Sequence, residues 1–263
     1  MDASCIATVF LSALLLCTAC GNEPSRGQHG EQQLVVATAA NVQFAMHELE
    51  AAFEGETGIP LEVVISSSGK LTAQIQQGAP YHLLLSANMK YPQRLYKAGY
   101  AVAAPATYAL GALVLWTMKE KVTLHAAPRF LTHSDIGKIA IANPKNAPYG
   151  EQAVRFFEYY GIYEQVAPKL VYGESIAQTN QYVISKACDL GLTAKSVVLS
   201  PKMRGRGAWL PVDPAAYTPI RQGVIITRYG QQQQPEACRR FYDFLFSETA
   251  QAIFRKYGYE VPG

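Results

Sequence analysis

From residue 34 onward, short apolar runs alternate with stretches in which apolar residues recur every three or four positions. Residues 34–37 form the first run, and Ala39-Ala40-Asn41 turns out of it. Val42, Ala45, Met46, Leu49, Ala52 and Phe53 then repeat at helical spacing, which predicts an amphipathic helix over 42–54, ended by Gly55 and Gly58. A second strand is predicted at 61–65. Ser66-Ser67-Ser68-Gly69-Lys70 leads from it into a helix over 71–77, which Gly78-Ala79-Pro80 breaks. A third strand at 81–86 and a helix at 92–98 complete the series. Strands alternating with helices predict a parallel-rich sheet with helices on its faces, and ligands bind such sheets at the carboxyl ends of the strands.

A second series follows. The apolar run 110–117 is long enough to carry the chain from one lobe to another. Strand 139–142 then meets Asn143-Pro-Lys-Asn-Ala-Pro-Tyr-Gly150, where two prolines and a glycine shape the start of a helix over 151–160. Strand 169–172, helix 176–186 and strands 190–193 and 207–212 come next. The alternating segment 217–228 reads as the return crossing, residues 231–234 as a loop, and 235–246 and 248–257 as closing helices. The expected division is 34–113 with 224–263 in one lobe and 114–223 in the other.

The first residues do not fit either series. Residues 6–16 are apolar but too few to span a bilayer, and they end in Leu16-Cys17-Thr18-Ala19-Cys20-Gly21. Small residues ahead of a cysteine resemble a bacterial lipoprotein cleavage site, so 1–19 reads as a signal peptide and Cys20 as the lipidated residue, with an ordinary cleaved signal as the alternative. Residues 20–33 read as a polar tether. Of five cysteines, that leaves Cys188 and Cys238, expected as two separate buried thiols because they fall in different lobes.

The net charge of +3 is small and evenly spread. Lys202, Arg204 and Arg206 are the only local basic cluster, so nucleic acid is not an expected partner. Enzyme motifs are weak. Gly173-Glu-Ser-Ile-Ala177 mimics a nucleophile elbow, yet every histidine precedes Ser175, against the usual order. Gly69-Lys70 lacks the earlier glycine and the following Ser/Thr of a phosphate loop. His125 and His133 have no ligand partners at metal spacing.

The turns themselves carry the stronger signal. Ser66, Ser67 and Ser68 offer hydroxyl and amide donors at one helix start. Ser175 precedes another, leaving the amide of Ile176 free, and Tyr149 brings an amide and a phenol to a third. Free N–H groups at helix starts favour anions. These donors are neutral, and Glu174 is the only carboxylate at such a turn. Hydrogen phosphate needs an acceptor for its proton; molybdate, tungstate and sulfate do not. Sequence leaves those dianions unranked. Two readings from other classes stay open: an extracytoplasmic hydrolase using Ser175, and a sensory or adhesive module needing no ion.

Over nearly all of 34–259 the chain resembles the molybdate/tungstate-binding proteins of bacterial ABC importers. The resemblance rests on Ala39-Ala40-Asn41 with Ala45-Met46, on Ser67-Ser68-Gly69 with Gln74-Ile75 and Gly78-Ala79-Pro80, and on Ser86-Ala87. It continues through Asn143-Pro144, Ala147-Pro148-Tyr149-Gly150 and the segment Phe254-Arg-Lys-Tyr-Gly258. It implies an α/β, two-lobed periplasmic-binding-protein fold of type II, with parallel-rich sheets and two crossing hinge strands. It implies anion contacts from Asn41 and Ser67 in one lobe and from Tyr149 and the Ile176 amide in the other, with Ala40 and Ser68 beside them. Many members carry a Tyr at the position of Ala194; here Tyr149 is expected to supply the phenol instead. His82 and Asn88 stand where Asp is common. The resemblance further implies no catalysis, no organic cofactor and a membrane permease as partner; a monomer is expected, attached to the membrane only through lipid on Cys20.

Overall fold

The computed structural model describes residues 33–262. The signal-peptide, tether and Cys20 readings therefore lie, but for Gln33, outside the described residues. In chain order the first series is β1 (Leu34–Ala39), α1 (Gln43–Thr57), β2 (Leu61–Ser66), α2 (Ser68–Gln76), β3 (Leu83–Ser86), α3 (Lys90–Lys97) and β4 (Ala106–Gly111). The second runs β5 (Leu113–Thr117), β6 (Ile139–Ala142), α4 (Pro148–Tyr159), α5 (Tyr163–Val166), β7 (Leu170–Gly173), α6 (Ile176–Ile184), β8 (Leu190–Ala194), α7 (Lys195–Val198) and β9 (Ala208–Pro211). The chain then returns with β10 (Ile220–Ile226), α8 (Arg228–Gln233), α9 (Pro235–Phe244) and α10 (Glu248–Lys256).

Two five-stranded sheets result, ordered β2-β1-β3-β10-β4 and β7-β6-β8-β5-β9. Each has a parallel heart: β1 pairs with β2 and β3, and β6 with β7 and β8. β10 joins the first sheet antiparallel to β3 and β4, and β5 joins the second antiparallel to β8 and β9. This is the two-lobed architecture expected. The outward crossing is made at Ala112, between β4 and β5, and the return between Pro211 and Ile220. The segment read as the return strand is shorter than 217–228 and lies wholly in the first sheet.

Register places the turns. The last paired residues of β1 and β2 are Ala39 and Ser66, and those of β6 and β7 are Ala142 and Gly173. The turns after neighbouring strands thus leave side by side, and single backbone bonds tie them. Ala40 N–H donates to Ser66 O at 2.9 Å, and Asn143 N–H donates to Gly173 O at 2.7 Å.

The longer helices are those the periodicity predicts, with edges moved by local chemistry. α4 begins at Pro148, whose fixed φ and missing N–H suit a first helical position, so Tyr149 lies inside the first turn. A Cβ on Gly150 would overlap the carbonyl of Ala142, so only glycine lets this helix start sit on the end of β6. Residues 231–233, expected in a loop, are helical in α8. Thr227 caps that helix by accepting from Gly230 N–H at 2.9 Å, a signal the run of glutamines hid. Cys188 and Cys238 are free and buried, in separate cores; burial pushes the Cys238 thiol up to about 12. Among the described residues no helix is long and apolar enough to cross a membrane.

Candidate functional site

Where the four turns converge there is a small hollow with an empty volume of about 200 Å³, its mouth included. All six residues singled out in the sequence line it: Ala40, Asn41, Ser67 and Ser68 from the first lobe, Tyr149 and Ile176 from the second. Ala39, Ala87, Ala147 and Pro148 complete the wall. None of these residues is ionisable at neutral pH.

The donors differ in how far they are committed. Ser67 occupies the N-cap of α2, in extended conformation, but its hydroxyl makes no cap bond. Its Oγ is buried with no partner. The Tyr149 hydroxyl is likewise buried and unpartnered. The main-chain N–H groups of Asn41, Ser67, Tyr149 and Ile176 donate to no carbonyl among the described residues. An unpaired buried donor costs about 1–3 kcal/mol, so six at one hollow point to a common acceptor. Ser68 Oγ accepts from Ala87 N–H at 2.9 Å, leaving its own proton uncommitted. Ala40 differs: its N–H is spent on Ser66 O, so it supplies wall and no donor.

Asn41 also sits differently from the simplest expectation. Its side-chain amide donates to Gln222 Oε1 at 2.9 Å and to Tyr259 Oη at 3.0 Å. Its carbonyl accepts from Ser196 Oγ at 2.7 Å and Tyr259 Oη at 2.8 Å. The side chain is thus a keystone behind the hollow, and the backbone N–H is the group free to face a ligand. Ser196 belongs to the second lobe, so this buried network also bolts the two lobes together at the pivot.

Tyr149 reaches the same pivot. A Cβ on Gly111 would overlap its phenol oxygen and fall 2.7 Å from Gln222 Nε2, which puts the hydroxyl at the outward crossing beside the Gln222 amide. Burial, and then the neighbouring tyrosines, push its pKa well above the ordinary tyrosine value. The phenol therefore keeps its proton and remains a donor. Gln222, Ser196, Tyr259 and Gly111 were missed in the sequence. Gln222 left one trace: in an alternating strand it shares the apolar face with Ile220 and Val224, and it is fully buried.

Other candidates come apart. Glu174 lies outside the wall and pairs with Lys70. Ser175 makes no side-chain cap bond, and no histidine bonds to it among the described residues. His82 accepts from Val35 N–H, and His125 packs on Phe130. The described residues hold no cluster of three metal-ligating side chains.

Residues 34–260 match the family described as bacterial extracellular solute-binding protein. A molybdate-binding protein of Azotobacter vinelandii is 35% identical over 252 residues, covering 95% of this chain and 97% of that one. Its counterpart in Rhodobacter capsulatus is 35% identical over 229 residues, covering 86% and 88%. A solved structure of an Azotobacter vinelandii periplasmic molybdate-binding protein superposes with a TM-score of 0.83 at 29% identity, covering 88% of this chain and all of that one. With its two lobes and the donor-lined hollow between them, the chain belongs to the bacterial extracellular solute-binding proteins.

Proposed function

We propose that this protein captures molybdate or tungstate outside the cytoplasmic membrane and delivers it to the permease of an ABC importer. One observation carries the reading: the hydroxyls of Ser67 and Tyr149 are buried without partners in a wall that offers free N–H groups and no carboxylate. Such a wall suits a fully deprotonated tetrahedral dianion, where each charge-assisted bond contributes about 1.5–3 kcal/mol. Hydrogen phosphate would bring a proton with no acceptor to take it. The molybdate-binding relatives support the same ligand class. The site binds and releases; it performs no reaction.

Thermal unfolding titrated with molybdate, tungstate, sulfate and phosphate tests the proposal. The midpoint should rise with the first two, as mass action requires of any ligand of the folded state, and stay flat with phosphate. A flat response to both molybdate and tungstate would overturn it, and a rise with sulfate alone would move the reading to the smaller oxyanion. Lipid on Cys20 would hold the protein at the membrane it serves. Cys20→Ser should then shift it from the membrane fraction to the soluble one; an unchanged distribution would remove the anchor.

A further inference from the structure

The Ser67 turn and the Tyr149 turn touch each other directly. Gly69 N–H donates to Asn146 O at 2.9 Å, backbone to backbone across the cleft. A Cβ at Gly69 would lie 2.8 Å from both Cα and O of Asn146 and 2.9 Å from its Cβ. Two of those three atoms are main chain. Asn146 is held by its own bond to Asn143 O and by the turn that Asn143 closes through Ala147 N–H and Lys145 N–H. It has little freedom to yield.

We infer that Gly69 and Asn146 are the closure stop of the two lobes: their contact fixes how near the lips come, and so the size of the hollow beneath. This rests on the oxyanion reading. Gly69 is two residues from Ser67, and Asn146 three from Tyr149, so the stop sets the register of donors contributed by opposite lobes. The same lip carries the Lys70–Glu174 ion pair and a bond from Tyr91 Oη to Lys145 O at 3.3 Å. Those partners are long, exposed or adjustable; the glycine contact is not. Gly69 is therefore a positioning residue that touches no ligand itself. It lies in the first turn of α2 without positive φ, so alanine suits its own helix, and the three atoms its methyl would crowd most all lie across the seam.

The test compares Gly69→Ala with wild type and with Gly55→Ala, whose added methyl would meet nothing within 4 Å. Gly69→Ala should keep the anion-free unfolding midpoint. Its molybdate dissociation constant should rise about tenfold to a hundredfold, the equivalent of one or two displaced charge-assisted bonds, chiefly through faster release. Residual dipolar couplings should report a wider angle between its lobes than in wild type, with and without molybdate. Gly55→Ala, also helical, should raise the unfolding midpoint slightly and match wild type in anion affinity and lobe angle. A Gly69→Ala protein with the wild-type lobe angle would overturn the inference, as would an affinity loss that merely tracks a lower anion-free midpoint. If wild type binds neither molybdate nor tungstate, the functional reading fails by itself, and the anion-free lobe angles still decide the stop.

Discussion

Tyr149 is fully buried and its hydroxyl has no partner, a pairing it shares with Tyr108, but of the two only Tyr149 lines the hollow. Removing that oxygen should cost little in the unliganded fold and much in the liganded one. Tyr149→Phe is expected to weaken molybdate binding by about 1–3 kcal/mol, one charged-acceptor bond, when measured by isothermal titration. An unchanged dissociation constant would place the phenol in the hinge alone. The residue types at the hollow were legible in the sequence, because helix starts with serine, tyrosine and a free amide announce themselves locally. Which atom of each residue is free was not. Asn41 spends its amide on Gln222 and Tyr259, partners 181 and 218 positions away. No local pattern encodes such a pairing, so the shift from side chain to backbone donor could only emerge from the assembled fold.

At the scale of elements, most strands and the long helices followed from periodicity; β4 did not, since only Leu110 and Gly111 of it fell in the run read at 110–117. The short helices did not, since α5 and α7 are four residues each, about one turn, too short for a repeat to show. One interstrand tie has a measurable signature. Val35 N–H of β1 donates to His82 Nδ1 at 2.8 Å just ahead of β3, which requires that nitrogen to be unprotonated. Burial lowers the His82 pKa below its ordinary value. A depressed folded-state pKa means the unfolded chain takes up the proton first. The stabilisation is thus complete above about pH 6.5 and is lost as pH falls through the lower folded value. Urea midpoints should therefore drop between roughly pH 7 and 5, and His82→Asn should flatten that part of the profile. An equal slope in the variant would assign the loss to other groups.

For the whole molecule, the clamshell is held at both ends of the cleft, but by different means. The lip is a backbone contact that can part. The pivot is a buried side-chain network joining Asn41, Ser196, Gln222 and Tyr259, where each hydroxyl and amide has a partner. Tyr259→Phe removes a donor to Asn41 O and strands part of the Asn41 amide. It should lower global stability by about 1–3 kcal/mol, read as a reduced urea midpoint with unchanged slope. A midpoint within error of wild type would mean that water replaces the phenol.

That network has a consequence for the order of assembly. The second sheet is drawn from one continuous stretch, β5 to β9, whereas the first needs β10, and its pivot needs Tyr259, with Glu260 bridging back to Leu110. A growing chain can therefore complete its second sheet early. The first sheet and the pivot close only once β10 and Tyr259 have joined, so the hollow between them takes shape last.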